Sequence, residues 1–189
     1  MPQSETLREI PVNEEMIFSG RLIRVSHMQV RLPDGRIAFR EIVRHHGGAA
    51  IVPVDSQGQV TLVRQYRAPL DAVTLEIPAG KLDSADENPL CAAKRELEEE
   101  TGLHAQRMDL LTVMLPTPGY CDERVHIFLA TELSQHRLHP DADEFLTLMR
   151  IPLSQAAALV VKGEIVDSKT ALGILLAGDR LRHKTQTFP

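Results

Sequence analysis

Apolar and polar positions in the first eighty residues of this 189-residue chain read as β-rich sequence. Alternation over 21–31 predicts a strand. Pro33-Asp34-Gly35 has the residue types of a tight turn, and a partner strand over 36–44 would complete a hairpin. Strands are expected at 49–54 and 59–65, on either side of Asp55-Ser56-Gln57-Gly58, and a short one at 74–77 runs into a sharp turn at Pro78-Ala79-Gly80. The period then lengthens. Leu90, Ala93 and Leu97 form an apolar stripe at helical spacing, with Asn88 suited to an N-cap, Pro89 to the first helical position and Gly102 to a stop. Strands at 107–114 and 124–131 and helices at 153–162 and 168–182 complete the pattern. Mixed strands with separated helices predict the α/β class.

Composition narrows the picture a little. This length suits one domain with a real core. At 43% hydrophobic and 25% charged with a net charge of −5, the chain has ordinary globular chemistry and is not an obvious nucleic-acid binder. It carries no run of the ~18 apolar residues that a membrane span needs. The first fifteen residues lack the apolar core of a secretory signal. Only Cys91 and Cys121 occur, so no disulfide framework is indicated and the cytoplasm is the expected compartment. Acidity does not exclude an anionic small substrate, because a bound cation inverts the local sign.

The chemistry concentrates in Arg95-Glu96-Leu97-Glu98-Glu99-Glu100-Thr101-Gly102-Leu103. At about 100° per residue, Glu96, Glu99 and Glu100 share one arc of the helix, while Glu98 points about 200° away from Glu96, toward solvent. Like charges at these spacings destabilise a bare helix. A divalent cation removes that penalty, and oxygen ligands suit Mg²⁺ or Mn²⁺. A solvated acidic face is the competing reading. The order of the surrounding residues favours a site: Gly80, Glu87, Arg95, Glu96, Leu97, Glu99, Glu100, Gly102 and Leu103 resemble the Nudix box, G-x5-E-x7-R-E-U-x-E-E-x-G-U with U aliphatic. One departure is visible. Six residues separate Gly80 from Glu87, which leaves Asp86 at the nominal acidic position and both acids as candidates for ordering the loop against Arg95.

The resemblance implies an α/β/α sandwich with a mixed sheet over 46–189. It also implies an N-terminal antiparallel β subdomain over 1–45 that joins two chains into a homodimer. Further segments resemble the ADP-ribose pyrophosphatase branch: Val63-Arg64-Gln65-Tyr66-Arg67, the stretch 115–123 containing Pro118 and Glu123, and 164–170, which reads GEIVDSKT with Gly163. By this resemblance Glu96 and Glu100 are the principal metal ligands, with Glu99 and the carbonyl of Ala79 beside them, and the cofactor is Mg²⁺ with Mn²⁺ as a substitute. Arg95 orders the loop, Arg67 meets the substrate phosphates and Glu123 a ribose hydroxyl, and Pro118, Leu82 and Arg44 also face the substrate. The acidic loop at 139–144 resembles one that supplies a base; Ala142 replaces one of its acids, and Glu144 is the retained candidate.

The implied activity is metal-dependent hydrolysis of ADP-ribose to AMP and ribose 5-phosphate. The alternatives are a broader nucleoside diphosphate sugar hydrolase and a non-catalytic Nudix-fold sensor, whose degraded box is not seen here. A chain without Trp leaves Phe18, Phe39, Tyr66 and Tyr120 as stacking candidates for a base. His45-His46 is a poorer Mg²⁺ site than the carboxylates, and Cys121 has no sequence-adjacent base to activate it.

Overall fold

The computed structural model describes residues 7–135 and 145–186. The chain divides into two compact units, Met1–His46 with Leu115–Glu123 and Gly47–Met114 with Arg124–Pro189.

The first unit is an antiparallel sheet in the order β1 (Ile10–Ser19), β2 (Arg24–Arg31), β3 (Ile37–Arg44). The segment Leu115–Glu123 joins it through the Val43 amide, which donates to the Tyr120 carbonyl at 2.7 Å, and the Asp122 amide, which donates back to Val43 at 3.1 Å. Strand β1 is absent from the expectation. It is exposed at every position and carries bulges near Pro11 and Met16, so it lacks the buried-face alternation that marks a strand in sequence.

In the second unit a mixed sheet runs β7 (Ala79–Lys81), β4 (Gly48–Pro53), β9 (Val125–Gln135), β8 (Leu103–Met114), with β4 and β9 parallel. A second, antiparallel sheet runs β10 (Leu146–Pro152), β5 (Gln59–Arg67), β6 (Ala72–Glu76). Every residue of β4 is buried. Ala49 and Ile51 meet α1 (Pro89–Thr101) through Ala93 and Leu97. Ala50 and Val52 join a larger cluster with Leu62, Ile151, and Ile174 and Ala177 of α3 (Ser168–Gln186), which also takes in Leu153 and Ala156 of α2 (Leu153–Val161). A strand covered on both faces reads as a continuous apolar run.

Helix α1 has the expected ends. Asn88 accepts from the Leu90 amide at 2.9 Å, and Gly102 closes the helix at φ 64°, its amide donating to Glu98. Three elements differ from expectation. Of the turn expected at 78–80, Ala79 and Gly80 instead belong to β7, whose three residues pair with β4 as Ala50↔Ala79, Ala49↔Gly80 and Gly48↔Lys81. Strand β8 begins at Leu103, four residues earlier than alternation suggested, because pairing with β9 carries its polar start. Strand β10 is an edge strand ending at Pro152, a place proline tolerates.

Candidate active site

The inner edge of α1 builds the site. Glu96 is 8% exposed and Glu100 2% exposed, whereas Glu98 and Glu99 are half-buried. A merely solvated acidic face would leave all four in water, so burial of two separates the readings. The backbone of 78–80 lies over these two carboxylates. The Ala79 amide donates to Glu100 Oε2 at 3.0 Å, and a Cβ placed on Gly80 would stand 2.1 Å from the Glu96 carboxylate. Pro78 is held from the other side, its carbonyl accepting from the Ile51 amide at 2.9 Å.

Arg95 gathers the remaining acids. Its Nη1 donates to Glu96 at 2.7 Å and to Glu99 at 3.3 Å. Its Nη2 donates to the Lys81 carbonyl at 3.4 Å and lies 3.5 Å from Glu87. Glu87 also accepts from the Asp83 amide at 2.6 Å, while Asp86 is exposed. Of the two candidate acids, Glu87 is therefore the one that faces Arg95. Among the described residues no three His, Cys, Asp or Glu side chains already form a metal cage. The donor set nevertheless fits a hard divalent cation: two buried carboxylates, a third on the same edge, and a glycine cradle that a side chain would fill.

A second cluster surrounds Arg67. Its Nε and Nη2 donate to the two oxygens of Glu76 at 2.8 and 2.7 Å. Thr74 donates to Glu76 at 2.6 Å, and the Lys169 ammonium also bonds it. Lys169 lies 3.1 Å from Asp167, which caps Thr170, and the Thr170 hydroxyl accepts from the Ile77 amide at 2.9 Å. Sequence reading did not single out Glu76. Its available signal is a lone acid in the otherwise uncharged run Ala72-Val73-Thr74-Leu75-Glu76-Ile77-Pro78.

Burial pushes the Glu76 carboxyl up, but Arg67, Lys169 and Thr74 outweigh it and hold it near 2, down from 4.5. A depressed folded-state value adds stability that is fully present above the unfolded value and is lost as pH falls through the folded one. Acidifying from pH 4.5 toward 2 should therefore lower the Tm of the wild type more steeply than that of Glu76→Gln. Equal slopes in calorimetric scans would remove this assignment.

Other expected positions fall elsewhere. Leu82 is 4% exposed and packs among Ala49, Ala92 and Leu97, so its side chain lies in the core. Arg44 and Glu123 lie in the first unit, where Arg44 bonds Glu14 and Asp122 at 3.1 Å and Glu123 sits 3.6 Å from His45 Nδ1. Pro118 is exposed on the turn closed by Thr117 and Cys121, also in that unit. Glu144 lies outside the described residues.

Known proteins resemble this chain in sequence and in fold. A NUDIX domain model matches residues 44–169. The chain is 42% identical over 172 residues to an ADP-ribose pyrophosphatase of Bacillus subtilis (strain 168), covering 90% of this chain and 92% of that one. It is 38% identical over 180 residues to a methanol dehydrogenase activator of Bacillus methanolicus, covering 93% and 97%. A solved structure described as an ADP compounds hydrolase superposes with a TM-score of 0.83 at 24% identity, over 96% of this chain and 98% of that one, and shares the fold.

Proposed function

We propose, from the premise that this chain belongs to the Nudix family and is a Nudix pyrophosphohydrolase, that it hydrolyses the diphosphate bond of ADP-ribose to AMP and ribose 5-phosphate, with Mg²⁺ as cofactor and Mn²⁺ as substitute. The observation that carries this reading is the pair of buried carboxylates, Glu96 and Glu100, beneath the backbone of 78–80. The ADP-ribose pyrophosphatase of Bacillus subtilis supports the choice of substrate.

Glu96 and Glu100 are the principal ligands, the Ala79 carbonyl a neutral one, and Glu99 a further ligand or a water-orienting group. A bound divalent cation lowers the pKa of a coordinated water and offsets phosphate charge. The chain's own task is mainly positioning and electrostatics, since phosphoryl transfer needs little covalent help. Arg95 keeps the segment between β7 and α1 folded against the helix through Glu87 and the Lys81 carbonyl. Arg67 suits a diphosphate because its planar fork matches phosphate oxygens. Glu144, by sequence alone, takes the proton as water oxygen bonds to phosphorus and the anhydride P–O bond breaks.

In the first unit, exposed Phe39 and Tyr120 flank an open cleft of about 570 Å³ with His27, Arg40 and Glu41, and supply aromatic faces for a base. Arg44, Glu123 and Pro118 keep their proposed substrate roles from resemblance. A homodimer is part of the same reading, supported by β1 being a sheet edge with Ile10, Val12, Met16 and Phe18 about half exposed, an arrangement that single chains normally avoid. Sedimentation should find a dimer at micromolar concentration, and a monomer there would remove this part. Among the described residues no helix is long and apolar enough to cross a membrane, and the proposed setting is the cytoplasm.

The substrate assignment is tested by kcat/KM for ADP-ribose, UDP-glucose, GDP-mannose, NADH and 8-oxo-dGTP. ADP-ribose should exceed the others by about tenfold or more. Equal turnover of the sugars would make this a general nucleoside diphosphate sugar hydrolase. No turnover of any would favour the sensor.

A further inference from the structure

Four charged side chains, Arg67, Glu76, Asp167 and Lys169, close into one cluster beside a cavity of about 290 Å³ that Leu70 and Val166 help to line. Removing such a carboxylate from water costs more than burying an apolar residue of the same size. Its geometry shows what the cluster accomplishes.

Glu76 grips Arg67 side-on, through Nε and Nη2. Because the guanidinium is planar, this grip turns Nη1 away from Glu76, and Nη1 makes no hydrogen bond among the described residues. The Arg67 side chain is 39% exposed and lines the cavity. One edge is thus fixed and the other offered. Thr74 and Lys169 hold Glu76 in turn. Farther along the same segment, Ile77 is tied to Thr170 and Ala79 to Glu100. The fixed arginine is thereby indexed to the carboxylates of α1 through three consecutive peptide units.

We propose that Glu76 is the positioning residue for Arg67, holding its guanidinium so that the Nη1 edge meets the substrate diphosphate. This rests on the diphosphate role given to Arg67 above. Fixing the side chain beforehand removes the ordering cost that a free arginine would incur on binding.

Charge and geometry predict opposite signs, which makes the test sharp. The four side chains sum to zero charge, so Glu76→Gln leaves the cluster at +1. Electrostatics alone would then tighten anion binding. Loss of the side-on grip would weaken it. The probe is inorganic diphosphate at fixed Mg²⁺, measured by titration calorimetry at a temperature where each variant is folded. Glu76→Gln should bind about tenfold more weakly than the wild type. Glu76→Asp, which keeps the charge and shortens the reach, should weaken binding in the same direction.

In an Arg67→Ala background, Glu76→Gln should produce no further loss, since Glu76 acts through Arg67. Wild-type or tighter binding by either single variant overturns the proposal, as does an undiminished loss in the Arg67→Ala background. Diphosphate binding is read without turnover. Failure of the ADP-ribose assignment would instead show as absent hydrolysis by the wild type, so the two failures are distinguishable.

Discussion

Glu100→Gln should lower kcat/KM for ADP-ribose by about a thousandfold, or roughly 4 kcal/mol of transition-state stabilisation, with the fold intact. The change is nearly isosteric, and the glutamine carbonyl still accepts from the Ala79 amide that Glu100 now binds at 3.0 Å. Strand β7 therefore keeps its place over the helix. What disappears is one negative charge at a position 2% exposed, where a neutral amide oxygen is a far poorer partner for a hard cation. Calorimetry should show weaker Mg²⁺ binding in parallel, and a Tm within a few degrees of wild type. Glu98→Gln, on the other side of α1 and half-buried, is the matched control and should stay within about twofold. Turnover of Glu100→Gln within tenfold of wild type would place the metal elsewhere.

Gly80→Ala is the second large effect, and its cause is space. Gly80 is not among the glycines with positive φ. With room available, replacing glycine by alanine stabilises a protein by ~0.4–1 kcal/mol through the unfolded state. Here the added Cβ would stand 2.1 to 2.4 Å from the three carboxylate atoms of Glu96. Either Glu96 leaves its position or β7 lifts from β4. The expected cost is ~1–3 kcal/mol of stability and about a hundredfold or more in kcat/KM, since a displacement near 1 Å is enough for that. Gly178→Ala offers a contrast within one chain: it sits inside α3 with its nearest neighbouring atom 3.9 Å from the added carbon, so it should raise stability by ~0.5–1 kcal/mol. A Gly80→Ala enzyme with wild-type rate and Tm would show that the cradle is not needed.

These two predictions also show which parts of the site are written locally. Helix α1 was legible because its caps, apolar stripe and acids are contiguous, and each signal depends on neighbours within four residues. The lid over it was not. Strand β7 is three residues long with a glycine in the middle, and only pairing with β4 makes it a strand. Strand β1 escaped notice for a related reason, since it buries neither face.

Side-chain roles divide in the same way. Glu87 and Arg95 were named from spacing, but Asp86 and Glu87 were separated only by the folded loop, where one faces Arg95 and the other faces water. Leu82 was expected to face the substrate by resemblance alone. The chain instead turns it inward, where it fills space between β4 and α1. Glu76 and Lys169 lie 93 residues apart and meet across the start of α3, a pairing no local pattern announces. Most strands of the core and the three α-helices among the described residues could thus be placed from sequence, whereas the partnering of charges required the fold.

The most direct test is product analysis of ADP-ribose incubated with the purified protein, once with Mg²⁺ and once with excess chelator. Equimolar AMP and ribose 5-phosphate that form with metal and vanish with chelator are the predicted result. No AMP in the presence of metal, or the same rate with chelator, would contradict the account.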